Sequence, residues 1–130
     1  MHSISQSYYE LASKSYLFTM FCFGLAIPMM VIAGNVDKGG ALFFLSGAGL
    51  IIVGMATSFK RRLTDIAHYT GAGFGIVFAL VGIGVAFNSW LPIILVAAVC
   101  AVIIKIRINN PVYWMEVMAI IGIVVGLLAR

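Results

Sequence analysis

Glu116 stands inside the apolar run NPVYWMEVMAIIGIVVGLL and is the only acid between Asp65 and the C-terminus. A carboxylate in such surroundings anchors a helix by pairing with a base, binds a cation, or passes a proton. His68 is the residue best suited to join it, because an imidazole changes charge near neutral pH. Asp65 lies one helical turn before His68, Tyr69 is beside it, and Lys105 closes a later apolar run. A Glu116–His68 or Glu116–Lys105 pair is therefore a reasonable expectation, and Glu116, His68, Asp65, Tyr69 and Lys105 form the candidate polar cluster.

The same residues make a poor enzyme. The chain has two histidines, His2 and His68, too few for a histidine-rich metal centre. It has no HExxH, no GxSxG and no paired aspartates. Asp65, His68 and Glu116 would hold a metal only if separate helices turned all three to one point, so neither a metal nor another cofactor is expected. GAGFG at 71–75 has the glycines of a phosphate loop but no preceding strand and no lysine. Cys22 and Cys100 both fall in apolar runs and read as small buried hydrophobes.

The elements that must position these groups are membrane helices. Of 130 residues 63% are apolar and 9% charged, and the mean hydropathy is +1.14. A soluble domain carries roughly a quarter charged residues; this chain cannot cover a water-facing surface. The expectation is an all-α polytopic integral membrane protein, one membrane domain over 1–130 with no soluble domain. Apolar runs predict a bundle of five transmembrane helices at about 15–33, 40–59, 66–87, 91–106 and 111–129. Residues 1–14 read as a cytoplasmic tail or an interfacial helix, with Ser7 and Glu10 in capping-box spacing. Val31 and Ala33 offer a signal-peptidase pattern, but a long stretch precedes them and the first run is read as a retained helix.

Turn chemistry separates the runs. GNVDKGG lies at 34–40 and the charged KRRLTD at 60–65. NSWLP at 88–92 offers Ser89 as an N-cap and Pro92 in the first turn. KIRINNP closes the fourth run, and Pro111 opens the fifth. Pro28 falls inside the first span, where a kink is expected. Lys14, Lys60, Arg61, Arg62, Lys105 and Arg107 share one side of this topology against Lys38 and Arg130 on the other. That bias predicts a cytoplasmic N-terminus and an external C-terminus, in a prokaryotic-type inner or plasma membrane.

Glycine supplies the packing surfaces. Gly71, Gly75, Ala79, Gly82 and Ala86 form one face of the third span. Ala119, Gly122, Gly126 and Ala129 do the same in the fifth, and Gly40, Gly47 and Gly54 recur every seven residues in the second. Such faces let helices approach closely in lipid, where no hydrophobic drive separates protein from solvent. They serve packing within a subunit or between copies, and a chain this small with so many of them suggests a homo-oligomer.

Function is the least legible level. The expectation is a small homo-oligomeric channel or permeabilising assembly, with Ser46, Thr70, Asn88 or Glu116 on its axis. The alternative is a non-catalytic accessory subunit of a larger membrane complex; a small intramembrane enzyme is the third reading. Expected partners are membrane lipids, further copies, and a cytoplasmic protein or anionic lipid at Lys60, Arg61 and Arg62. Nucleic acid is not among them, since the net charge of +4 is accounted for by topology.

Overall fold

The computed structural model describes residues 16–56 and 61–129, the side chains of 61–65 excepted. Five α-helices make up the described chain: α1 (Tyr16–Ala33), α2 (Gly40–Ala56), α3 (Arg61–Phe87), α4 (Leu91–Ile106) and α5 (Pro111–Leu128). No strand occurs among the described residues. Three helical segments, Tyr16–Ala33, Ile66–Phe87 and Pro111–Leu128, are long and apolar enough to cross a membrane. With 17 residues in α2 and 16 in α4, those helices reach about 24–26 Å at 1.5 Å per residue, a little under a ~30 Å hydrocarbon core.

The connections are short, so consecutive helices run antiparallel as neighbours. Left-handed residues stop them: Asn88 (φ 52°) follows α3, Arg107 (φ 53°) follows α4 and Asn110 (φ 59°) precedes α5. Asparagine tolerates this region because its short amide bonds locally. Two expectations are corrected here. Residues 61–65 belong to α3 and not to a loop, because no glycine or proline between Arg61 and Ile66 interrupts the backbone bonds of the helix. Ser89 does not cap α4; Trp90 holds that position without a side-chain bond, and Pro92 occupies the first turn as expected. The 1–14 segment, Lys60 and residues 57–59 of the second predicted span lie outside the described residues.

Packing follows the glycines. The α2–α3 contact is the most extensive, then α1–α2; α5 packs on α4 and, less broadly, on α3. At the α2–α3 crossing the backbones touch: a Cβ on Gly49 would sit 2.7 Å from the Gly71 carbonyl oxygen and 2.7 Å from the Gly75 nitrogen. Ser46 on the same face of α2 donates its hydroxyl to the Gly75 carbonyl at 2.7 Å. The heptad glycines of α2 face α1, where Gly54 meets Cys22 and Gly47 meets Met30. Thr19 of α1 donates to the Gly54 carbonyl at 3.2 Å. In α5, Gly122 lies against Val96, and Gly126 against Pro92 and Ile83. The named glycine faces are thus occupied by helices of the same chain.

The main apolar core comprises Met29, Phe43, Ala79, Leu80, Ile83, Val96, Ala119 and Ile123. A smaller cluster of Phe18, Cys22 and Val53 closes α1 on α2. The main cluster draws on Met29 of α1 and on Ala119 and Ile123 of α5, yet those two helices make no more than slight contact with each other.

Candidate functional site

The gap between α1 and α5 is a half-enclosed cleft of about 240 Å³, with α2 and α3 as its floor. Four helical stripes line it. From α5 come Glu116, Ile120, Ile123, Val124 and Leu127; from α1, Phe18, Phe21, Cys22, Leu25, Pro28 and Met29. Ser46, Leu50 and Val53 of α2 and His68, Ala72, Gly75 and Ile76 of α3 complete it. Each set recurs at three- and four-residue steps, so each is one face of its helix.

Glu116 and His68 thus line the same cavity. His68 is near the start of α3, half-buried, with its ring edge-on to Tyr69 at 5.5 Å between centroids. Glu116 is also half-buried and lies five residues into α5, about 8 Å from Pro111 along the axis. Both therefore belong to the end of the bundle that carries the α4–α5 connection with Lys105 and Arg107. From there to Leu127 the lining is apolar except for Ser46, whose hydroxyl is committed to the Gly75 carbonyl. Cys22 contributes a buried thiol packed over Gly54, as a small hydrophobe would be.

The remaining expected site residues are elsewhere. Tyr69 is exposed and outside the cleft lining, and Lys105 is exposed in the last turn of α4. The side chains of Asp65, Arg61 and Arg62, and all of Lys60, fall outside the described residues. Gly71, Gly82, Gly122 and Gly126 serve helix packing, while Gly75 does that and also floors the cleft. The polar residues proposed for a channel axis do not share one within this chain. Ser46 is buried between α2 and α3, Thr70 is exposed, Asn88 ends α3 and Glu116 faces the cleft. Among the described residues no group of three His, Cys, Asp or Glu side chains is placed to hold a metal ion.

The apolar walls of the site are not among the residues expected from the sequence. Ile120, Val124 and Leu127 repeat Glu116 at helical spacing, and that stripe was available as a signal. The separation of α1 from α5, which turns the stripe into a cavity, was not. Neither a protein-family model nor a curated protein nor a solved structure matches this chain.

Proposed function

We propose that this chain is an integral membrane protein of five spans that binds an apolar or amphiphilic molecule drawn from the bilayer. The observation that carries the reading is the cleft: apolar along its length, flanked by two barely touching helices, and furnished with ionisable groups near one end. Ligand sites are mostly apolar concavities with a few placed polar groups that fix orientation. Here the apolar molecule needs no aqueous route, because its reservoir is the lipid on either side of α1 and α5. The two shorter helices, α2 and α4, span with modest local thinning or with flanking residues reaching the interface. Basic residues at the Lys105 end put that end, and the N-terminus, in the cytoplasm; labelling of single cysteines at 38 and 107 from each side of the membrane checks the orientation.

Dodecanol tests the binding directly. Added to the purified protein in a neutral detergent, it is expected to raise the thermal midpoint in a saturable way. At 100 times its dissociation constant a ligand of the native state contributes about 2.7 kcal/mol. A midpoint that only falls as dodecanol is added, as simple detergent destabilisation would give, contradicts the proposal.

A channel built from several copies is the second reading, and one observation favours it. Thr70 is exposed on α3, and neighbouring Gly73 has nothing within 4 Å of where a Cβ would stand. A path between subunits would run along that face, and not through the bundle. Ion flux in liposomes that responds to Thr70→Val and ignores substitutions in the cleft would establish it.

A further inference from the structure

We propose that the cleft selects a single unbranched alkyl chain of about dodecyl length, with its one polar group at an end, and rejects two-chain lipids. This rests on the reading of the cleft as a site for membrane-soluble molecules and adds the class of the ligand. Length comes first. The α5 wall runs from Glu116 to Leu127 and the α1 wall from Phe18 to Met29, each a rise of about 16–17 Å. An extended chain of single bonds advances about 3.3–3.6 Å for every three bonds. Walls of this length therefore span about fourteen bonds, close to dodecanol once its end atoms are counted. Leu127 stands in the last turn of α5, so a longer chain runs past the end of its wall.

Volume and polarity then narrow the class. A cavity of about 240 Å³ holds roughly eight waters at about 30 Å³ each, and a methylene takes nearly as much room as a water. One dodecyl chain fills that space, with its remaining carbons at the half-open mouth; two chains do not fit. Between its two ends the cleft offers a polar side chain only at Ser46, whose hydroxyl is committed to the Gly75 carbonyl. A hydroxyl or ester at mid-chain would be buried without a partner, which weakens binding about tenfold. The alkyl walls make this discrimination; Glu116 and His68 already hold interactions of their own.

The experiment places the full chain in nanodiscs of two-chain phosphatidylcholine and photolabels it with an alkanol carrying a diazirine in its chain. Octanol, dodecanol, hexadecanol, the dodecanol isomer with its hydroxyl at mid-chain, and a diacylglycerol then compete, each compared at equal mole fraction in the bilayer. Dodecanol is expected to displace label from Ile120 and Val124 more effectively than octanol, which leaves part of each wall without contacts. Hexadecanol should do no better than dodecanol, and the mid-chain isomer and the diacylglycerol should need about tenfold more. Leu127→Trp fills the far end of the cleft and should shift the preference to octanol. If the mid-chain isomer or the diacylglycerol competes as well as dodecanol, the tail selection is overturned and the cleft is an unselective apolar site. A steady gain from octanol to hexadecanol, or an unchanged preference in Leu127→Trp, overturns the length match. Absence of displaceable label from the cleft overturns the cleft reading itself. Should Leu127→Trp fail to fold, the wild-type series alone upholds or overturns the length match.

Discussion

Gly49→Ala is expected to cost about 3 kcal/mol of unfolding free energy, the upper end of ordinary overpacking penalties. A single methyl has this effect because of what surrounds it. Its carbon would lie 2.7 Å from both the Gly71 carbonyl oxygen and the Gly75 nitrogen. These are backbone atoms of α3, so no side-chain rotation relieves the clash. The helices must separate, and the bond from Ser46 to the Gly75 carbonyl lengthens with them. Two comparisons isolate the cause. At Gly47 the nearest obstacle is the Met30 side chain at 2.8 Å, which is flexible, so Gly47→Ala should cost less, about 1 kcal/mol. At Gly73 nothing stands within 4 Å, and Gly73→Ala should be neutral or slightly stabilising. Reversible unfolding in mixed micelles gives all three values. Equal costs at Gly49 and Gly73 would show that α2 and α3 do not cross backbone to backbone.

Ile120→Trp is expected to abolish the stabilisation by dodecanol while leaving the unliganded protein at least as stable as wild type. Ile120 is half-buried and lines the cleft between Glu116 and Val124. An indole occupies the space that the alkyl chain would take and makes contacts there in its place. The loss should be the whole ligand increment, about 2.7 kcal/mol at a hundredfold excess over the dissociation constant. Ile121→Trp supplies the control, since Ile121 is exposed on the other side of the same turn. If both variants respond to dodecanol as wild type does, the molecule is acting on the general lipid-facing surface and not in the cleft.

The five apolar runs, their order and most of their ends were legible in the sequence because hydropathy reports which residues avoid water. The start of α3 was not, since hydropathy is blind to a helix that continues through its own charges from Arg61. The turn after α3 was legible as NSWLP at 88–92 with Ser89 as the cap of α4, but the residue that turns the chain is Asn88, by adopting a left-handed conformation. Glycine faces were legible as faces, whereas their partners were not. Gly49 lies outside the seven-residue glycine repeat of α2, because it looks towards α3 while Gly47 and Gly54 look towards α1.

The candidate site divides in the same way. Glu116 and His68 could be singled out by their chemistry alone, and the cleft joins them. Lys105 and Tyr69 had equal claims from spacing and are outside the lining, because sequence distance fixes depth along a helix but not the direction faced across the bundle. That direction depends on which pairs of helices meet. Here α5 spends its glycine face on α4 and α3, which leaves the Glu116 stripe turned to the gap beside α1.

The most direct measurement is photolabelling of the reconstituted protein with an alkanol carrying a diazirine in its chain, followed by peptide mapping. The expected result is label concentrated on cleft residues such as Leu25, Ile120 and Val124, displaced by excess dodecanol. Label spread over exposed outward positions such as Val77, Ile94 and Val102, and indifferent to the competitor, would contradict the claim that this cleft holds a ligand.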